Sequence, residues 1–338
     1  MRTLALPLLL CTAILGPCHA AGFLFGIAGS VRDPGFFTAT SWIGANAIRL
    51  DAPWSQFEKQ RGTYAAPEWV DRTVAEARAR NIEPVLVLAY GNALYTPDKP
   101  LNQAQREAFA RYATWVATHY RGRVRYYDLW NEWDTHTGRT QPGTPEDYIA
   151  LARVVYPAIK RADPDAIVLS GGISDSALTS PWFDRFIQAG GLEYIDALSV
   201  HPYNWNWRND RSPQAAIALV DDIHRKAITK VNRPVDVYIT EMGYPTHLGR
   251  FGLSDDTAAC RVVQFYSLAR ERTYIKGVWW YGIRDNGSDP MKKEDRFGLF
   301  TYAMQPKAAA RAFRDMTSKN QKDGPQALRS LAAACENQ

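Results

Sequence analysis

The sequence predicts an α/β protein, a single-domain (β/α)8 barrel of the TIM type. Eight short runs rich in β-branched and aromatic residues recur along the chain, and stretches of helical periodicity separate them. No proline- and glycine-rich linker, charge block or low-complexity stretch divides the chain into halves. Uninterrupted alternation of strands and helices favours one closed parallel sheet over two doubly wound domains.

The predicted strands share apolar, strand-forming residues and are bounded by turn formers. They are residues 23–28, 47–51, 84–90, 124–132, 167–171, 195–201, 235–241 and 277–281. The predicted helices are residues 70–80, 105–119, 145–161, 215–230 and 257–272, with one more near 307–316. Thr144 before Pro145, and Ser254 before two aspartates, are typical of helix starts.

The first twenty residues resemble a secretory signal peptide. Arg2 precedes an apolar run over residues 4–15, and Ala20 ends a small-residue cleavage site. We therefore expect a signal peptide at 1–20, a catalytic domain at 21–338, and an exported protein that is periplasmic or secreted. An alternative is a lipoprotein anchored through Cys18, although Pro17 directly before that cysteine is unusual.

Charge and cysteine content restrict the other possibilities. The net charge of +5 comes from scattered basic residues, which predicts no nucleic-acid groove. No later run approaches the roughly 20 apolar residues of a membrane span, and we expect a monomer. Cys260 and Cys335 lie in the predicted mature chain. In an oxidising compartment they can form a disulfide, and two buried free thiols are the open alternative.

Two predicted strands end in a glutamate, Glu132 on the fourth and Glu241 on the seventh. A charge at the end of a buried strand is costly, and a lone example would most simply pair with an arginine. In a barrel, however, the carboxyl ends of the strands meet at one rim, where active sites lie. Two carboxylates facing each other there suit cleavage of a glycosidic bond.

Further residues carry a resemblance to a known group of enzymes. The chain is similar to clan A glycoside hydrolases, most of all to family 39 and its bacterial endoglycosidases of biofilm polysaccharides. The resemblance covers nearly the whole predicted mature chain, with supporting segments at residues 50–58, 280–285 and 296–299. The residues that carry it are Arg49, Asn131, Glu132, His201, Pro202, Tyr203, Glu241 and Trp280.

The resemblance implies a role for each carboxylate. Glu132 would be the acid/base and Glu241 the nucleophile of a retaining double displacement, with the carboxyl groups about 5 Å apart. Glu132 must then begin protonated, so we expect the charge of Glu241 and apolar neighbours such as Trp130 to raise its pKa.

The supporting residues would divide between substrate and nucleophile. By the same resemblance Asn131 would hold the 2-hydroxyl of the sugar. Tyr203 would donate a hydrogen bond to Glu241, Arg49 would place positive charge beside it, and His201 would orient the network. Taken without the fold, Arg49 could be a structural ion-pair partner, His201 a core histidine and Tyr203 an ordinary loop aromatic.

Aromatic residues concentrate near the predicted strand ends and the loops that follow. Sugars present apolar faces that stack on such rings, although core packing is the commoner use of large aromatics. We expect Trp280 to form the floor of the cleaved-sugar subsite, and Trp205 or Trp207 a wall of the groove. The remaining candidates for substrate contact are Trp54, Tyr90 and Tyr244.

The sequence therefore predicts a retaining glycoside hydrolase of β-linked polysaccharide that acts within the chains of a bacterial exopolysaccharide. No metal or organic cofactor is expected, because the six histidines lack paired ligand spacing and no glycine-rich phosphate loop follows a strand. Alternatives are a β-xylosidase-like exoglycosidase, an endo-acting enzyme on plant polysaccharide, and a non-catalytic glycan-binding barrel.

Overall fold

The computed structural model describes residues 22–29 and 31–335, so the signal peptide predicted for residues 1–20 lies outside the described residues. Its strands are β1 (Leu24–Ala28), β2 (Ala47–Pro53), β3 (Glu58–Gln60), β4 (Thr63–Tyr64), β5 (Glu83–Ala89), β6 (Tyr126–Leu129), β7 (Ile167–Leu169), β8 (Ile173–Ser174), β9 (Leu198–His201), β10 (Val237–Met242) and β11 (Ile275–Tyr281). The helices are α1 (Phe36–Trp42), α2 (Trp54–Phe57), α3 (Glu68–Ala79), α4 (Gln103–Tyr120), α5 (Pro145–Ala162), α6 (Asp175–Leu178), α7 (Pro181–Gln188), α8 (Pro213–Val231), α9 (Asp255–Arg270), α10 (Ala308–Asp323) and α11 (Gln326–Ala334).

Nine strands form one parallel sheet in the order β7, β6, β5, β2, β1, β11, β10, β9, β8. The first strand pairs with the last, Ala28 lying opposite Tyr281. Strand β8 resumes the course of β7 after a three-residue break at 170–172, and a parallel bridge between Leu169 and Ala197 completes the ring. The predicted (β/α)8 barrel and its eight strands are confirmed.

The core has two layers. Side chains such as Leu24, Val85, Tyr126 and Trp279 fill the barrel interior, and a larger cluster lies between the strands and the surrounding helices. Because side chains alternate across a strand, Trp279 points into the barrel whereas Trp280 packs in the outer layer. Burial of these apolar surfaces is the main force that holds the barrel and helices together.

Two helices begin at the caps that the sequence predicts, Thr144 and Ser254, whereas α3, α4 and α8 each begin two residues earlier than predicted. The Thr144 hydroxyl accepts the backbone N–H of Asp147 at the start of α5, and Pro145 occupies the first turn. Ser254 caps α9 in the same way. These caps satisfy N–H groups that lack a partner within the helix, which fixes where each helix follows its strand.

The fourth barrel strand is shorter than predicted. Strand β6 ends at Leu129, and Glu132 lies three residues later rather than at the strand end. Trp130 and Glu132 have φ angles of 78° and 48°, in the left-handed region that non-glycine residues seldom adopt. The chain therefore turns sharply before Glu132, and apolar composition alone gave no sign of this turn.

Cys260 and Cys335 are joined by a disulfide whose Cα atoms are 5.4 Å apart. The bond links α9 to the chain just after α11 and so ties the described C-terminal end to the barrel's outer layer. Of the two possibilities that the sequence left open, the structure has the disulfide. Within residues 22–29 and 31–335, no helix is both long and apolar enough to cross a membrane.

Candidate active site

A cavity of about 860 Å³ opens at the carboxyl ends of the barrel strands. Its lining includes Arg49, Asn131, Glu132, Tyr203 and Glu241. These residues come from or directly follow β2, β6, β9 and β10, which are far apart in the sequence. Closure of the barrel is what brings them together, as the strand pattern predicts.

The two glutamates face each other across this cavity. One carboxylate oxygen from each, together with a ring nitrogen of His201, lie within 4.8 Å of one another. Glu241 is carried by β10, and the backbone N–H of Glu132 donates to the carbonyl of Gly171 at 2.9 Å. The carboxylates are 20% and 16% exposed for Glu132 and Glu241, so both are shielded yet reachable from the cavity.

Glu241 is held by two donors. Nη1 of Arg49 lies 2.6 Å from Oε1, and the Tyr203 hydroxyl donates to Oε2 at 3.1 Å. Burial lowers the pKa of Arg49, but the negative charges of Glu241 and Asp128 outweigh it, so the pKa is raised above its ordinary value. The guanidinium therefore stays charged and stabilises the Glu241 carboxylate.

The surroundings of Glu132 favour the opposite state. Burial raises the pKa of Glu132, and the hydrogen bond from Thr137 and the charge of Arg49 only partly offset it. Its Oε1 lies 3.0 Å from Nδ1 of His201, and its Oε2 accepts the Thr137 hydroxyl at 2.8 Å. The site thus pairs a carboxyl group that tends to hold its proton with a carboxylate held by a cation.

The loop that presents Thr137 is fastened by a buried lysine. Lys99 is 2% exposed, and its ammonium donates to the carbonyls of Thr135 and Gln141 and to the Thr140 hydroxyl. Burial lowers the pKa of Lys99 to about 8. The loop between β6 and α5 is therefore held in place where its hydroxyl groups reach Glu132.

A polar chain lies beneath the cavity and links Asp128, Ser199, Thr240 and His201. The Ser199 hydroxyl donates to Asp128 Oδ2 at 3.0 Å and lies 2.6 Å from the Thr240 hydroxyl. The Thr240 hydroxyl lies 3.0 Å from Nε2 of His201. All four side chains are buried, and burial lowers the pKa of His201 to about 4.

Beside this chain the backbone comes very close to the His201 ring. Gly172 lies in the break between β7 and β8, has a φ of 56°, and a Cβ there would meet the ring. Only glycine combines that backbone conformation with the space available.

At the end of β11 the aromatic residue that lines the cavity lies one position after the predicted one. Tyr281 lines the cavity, whereas Trp280 is 1% exposed and packs against Tyr244 and Tyr266 in the outer core. The expectation that Trp280 forms the floor of the cleaved-sugar subsite is wrong, because a shift of one residue along a strand exchanges its two faces. Tyr90 and Trp205 line the cavity as predicted.

Three other predicted contacts lie elsewhere. Trp54 is fully buried and stacks on Tyr95. Tyr244 is buried with its hydroxyl donating to Asn204 at 2.8 Å, and Trp207 is not among the residues that line the cavity. The first two serve the core, which is the commoner use of large aromatics.

Asp51 is a cavity residue that the sequence reasoning missed. It lies on β2 two positions after Arg49 and lines the cavity with it. Burial raises the pKa of Asp51, with Arg49 opposing, and among the described residues none hydrogen-bonds to its carboxylate. The period of two along a strand was the available signal, since it puts both side chains on one face.

Glu132, His201 and Glu241 are the described residues whose donor atoms are close enough to share a metal ion. Each of those atoms already has a protein partner, however: Glu132 and His201 contact each other, and Tyr203 and Arg49 hold Glu241. A cation bound there would have to displace or repel the Arg49 guanidinium, so the donor set fits an acid and carboxylate pair better than a metal site.

Comparison with known sequences gives one family. The sequence model of the cellulase family (glycosyl hydrolase family 5) matches residues 31–285, which include Arg49, Glu132 and Glu241. None of the curated proteins compared with the chain matches it.

Several solved structures share the fold. A family 39 glycoside hydrolase from Bacteroides cellulosilyticus WH2 has a TM-score of 0.75 at 24% identity over 87% of this chain and 63% of its own. An exo-β-1,4-mannosidase from Opitutaceae bacterium strain TAV5 has a TM-score of 0.66 at 19% identity over 90% and 60%. Xylanase 10B from Thermotoga petrophila RKU-1 has a TM-score of 0.67 at 15% identity over 88% and 95%. This chain thus spans under two thirds of the first two proteins.

Proposed function

We propose that this chain, which belongs to the cellulase family (glycosyl hydrolase family 5) and is a clan A glycosidase, cleaves β-linked polysaccharide with retention of anomeric configuration. The observation that carries the proposal is the placement of carboxylate oxygens of Glu132 and Glu241 within 4.8 Å of each other. Retaining enzymes have carboxyl groups about 5 to 5.5 Å apart, whereas inverting enzymes leave about 6.5 to 9.5 Å for a water molecule.

The reaction has two displacements. In the first, an oxygen of Glu241 attacks the anomeric carbon, the bond to the leaving oxygen breaks, and Glu132 gives its proton to that oxygen. In the second, Glu132 takes a proton from water, whose oxygen attacks the same carbon and releases Glu241. Each displacement inverts the anomeric carbon, so the product keeps the starting configuration.

The neighbouring residues support this division of roles. Arg49 and Tyr203 stabilise the Glu241 carboxylate as the attacking group. Asn131 Oδ1 accepts from Arg49 at 2.7 Å, and its Nδ2 donates to the Tyr90 hydroxyl at 3.2 Å. An amide fixed at both ends is well placed to bind the 2-hydroxyl, where contacts strengthen in the transition state.

A second cavity supports action within a chain rather than at its end. A hollow of about 430 Å³ adjoins the catalytic cavity and shares Val31, Arg32, Asp33 and Trp69 with it. A polysaccharide could run from one hollow into the other and so place several sugars on the protein. Exo action would instead release single sugars, so the chain length of the early products separates the two modes.

The natural substrate we favour is a bacterial exopolysaccharide met outside the cytoplasm by a monomeric enzyme. The resemblance of the sequence motifs to family 39 endoglycosidases and the signal-like residues 1–20 support this choice. Plant polysaccharide is the alternative. Assays of the purified protein on a panel of both kinds of glycan would decide between them.

The mechanism is tested by following anomeric configuration with NMR early in hydrolysis, together with a Glu241→Gln variant. We expect retention, and a loss of activity of at least ~10³-fold in the variant. Glu58→Gln is the matched control, because Glu58 is a buried glutamate outside the cavity that accepts Trp54 Nε1 at 2.7 Å. An inverted product, or unchanged turnover by Glu241→Gln, would contradict the double displacement.

A further inference from the structure

We propose that Thr240 is a positioning residue that sets the tautomer of His201 and thereby keeps the resting proton on Glu132. The inference rests on the proposed function for the role of Glu132, but not for the hydrogen-bond chain itself. It follows from counting the protons available along the buried chain Asp128, Ser199, Thr240 and His201.

The direction of the chain is fixed at Asp128. This carboxylate accepts Nε and Nη2 of Arg49 at 3.4 and 3.2 Å and the backbone N–H of Gly171 at 2.7 Å. Surrounded by donors, of which one group is a cation, Asp128 is an acceptor only. The Ser199 hydroxyl, 3.0 Å away, therefore donates its single proton to Asp128.

The directions of the next two hydrogen bonds follow from the same count of protons. The Ser199 oxygen has no proton left, so over their 2.6 Å separation Thr240 is the donor and Ser199 the acceptor. The Thr240 oxygen in turn can only accept, so the proton of the 3.0 Å contact with His201 belongs to Nε2 of the ring. Ser199 also accepts the backbone N–H of Gly172 at 3.1 Å, which uses its remaining lone pair.

The chain ends at the catalytic acid. Burial favours the neutral imidazole, and a neutral ring with its proton on Nε2 offers a bare lone pair at Nδ1. Nδ1 lies 3.0 Å from Glu132 Oε1, so this contact is a hydrogen bond only when Glu132 is protonated. The Thr137 hydroxyl donates to the other oxygen of Glu132, which leaves Oε1 as the place for the proton.

This arrangement serves both steps of the reaction. Before cleavage it stabilises Glu132 as an acid. After the proton has passed to the leaving oxygen, a carboxylate oxygen faces a nitrogen lone pair. That repulsion favours the return of a proton from the attacking water, so the same contact makes Glu132 an effective base.

Other charged groups lie near Glu132 and His201. Glu241, Arg49, Asp128 and Asp134 act on His201, with Oε2 of Glu241 3.9 Å from Nδ1. Arg49 lowers and Glu294 raises the pKa of Glu132, and Asp175 is also coupled to Glu132 by charge. None of these groups donates a proton to Nδ1, so they change the strength of the contact and not its direction.

The test replaces Thr240 by valine, which has the same shape without the hydroxyl, with Thr240→Ser as the matched control. The ¹⁵N shifts of His201, assigned by their loss in His201→Asn, report the tautomer in the free protein without substrate. We expect an Nε2–H tautomer in the native protein and in Thr240→Ser. In Thr240→Val the ring can move its proton to Nδ1 and donate to Glu132.

The same variants predict a change in the pH profile of kcat. A donor at Nδ1 stabilises the ionised form of Glu132, so the basic limb of the profile should move to lower pH in Thr240→Val and return in Thr240→Ser. At pH 8 we expect Thr240→Val to lose about tenfold in kcat on substrates with poor leaving groups. A substitution that only loosened the core would not move the limb selectively.

Two results would overturn the inference: an Nδ1–H or doubly protonated His201 in the native protein, or a Thr240→Val variant with unchanged tautomer and pH profile. If Thr240→Val fails to fold, Ser199→Ala interrupts the chain one link further from Glu241 and frees the Thr240 proton for Nε2. A protein with the expected tautomer but no glycosidase activity would contradict the proposed function and leave the proton chain intact.

Discussion

Arg49 and Glu241 form a shielded ion pair with Nη1 2.6 Å from Oε1, and the same guanidinium contacts Asp128 and Asn131. A single cation therefore joins the proposed nucleophile, the start of the buried polar chain and the amide expected to bind the sugar. Loss of this cation would affect all three.

Replacement of Arg49 by methionine should destabilise the protein by about 3 to 5 kcal/mol, because removal of one partner leaves buried carboxylates uncompensated. Activity should fall below detection, because Glu241 loses the positive charge that stabilises its carboxylate. Urea unfolding measures the first effect, and turnover the second. Arg80→Met is the control, since Arg80 pairs with Glu76 on the surface and should cost under about 1 kcal/mol. Equal losses of unfolding free energy in the two variants would contradict the interpretation of Arg49 as a buried ion-pair partner.

The pH dependence of activity should reflect the protonation of Glu132. Its pKa is raised, chiefly by burial, and the protonated form is the proposed catalytic acid. Activity should therefore persist above the ordinary range of a glutamate and fall as pH rises through the raised pKa. In Glu132→Gln the basic limb of kcat/KM should vanish. This ratio, which reports the first displacement, should fall by ~10²-fold or more on poor leaving groups and change little on activated aryl glycosides, whereas kcat should fall on both because the second displacement loses its base. An unchanged basic limb would assign that limb to another group.

Substitutions of Tyr281 and Trp280 should have different effects, the first on substrate binding and the second on folding stability. Tyr281 lines the cavity, so Tyr281→Ala should raise KM by about tenfold or less through lost stacking. Trp280 is buried in the core, so Trp280→Ala should cost about 3 to 5 kcal/mol of folding free energy. Steady-state kinetics and thermal unfolding of both variants check this. A purely kinetic effect at Trp280 would restore it as a substrate platform.

Asp51→Asn should weaken substrate binding while it stabilises the fold at neutral pH. Because the folded-state pKa of Asp51 is raised, the ionised carboxylate lowers stability once pH exceeds its unfolded value. Asparagine keeps the shape without that charge, so the gain should be present at pH 7 and absent near pH 3. Urea unfolding at the two pH values measures this gain. An unchanged KM would show that substrate does not reach Asp51.

The disulfide should contribute stability and leave catalysis alone. The bond spans 75 residues, and closure of a loop of this size is worth about 4 kcal/mol through the unfolded chain. Cys260→Ser with Cys335→Ser should lower the unfolding free energy by about that amount at unchanged kcat. Reduction of the native protein should have the same effect, and a stability indifferent to reductant would contradict it.

The fold could be predicted because buried parallel strands are continuous apolar runs, and the glutamate pair could be predicted because a barrel gathers strand ends at one rim. The direction of individual side chains was harder to predict from the sequence. Trp280 and Tyr281 are both aromatic, and only the register of β11 against β1 decides which one faces the cavity. Trp54 was misplaced for a related reason, since composition does not tell a core aromatic from a platform.

The turn after β6 was beyond sequence reasoning for a different cause. Trp130 and Glu132 adopt left-handed backbone conformations that neither residue prefers. The surrounding contacts impose them, among them the hydrogen bond from Glu132 N–H to Gly171. Local propensity does not report a contact with Gly171, which lies in the break between β7 and β8. The same holds for the contacts of Lys99 with the loop after β6.

The gap between β7 and β8 limits how this enzyme can diversify. A methyl group at Gly172 would push on the His201 ring, and one at Gly171 would meet the Leu129 carbonyl at the base of the Glu132 turn. Every alternative amino acid at these two positions would disturb the surroundings of Glu132, the proposed proton donor. Substitutions that change substrate specificity are therefore expected in the loops around the rim and not at Gly171 or Gly172.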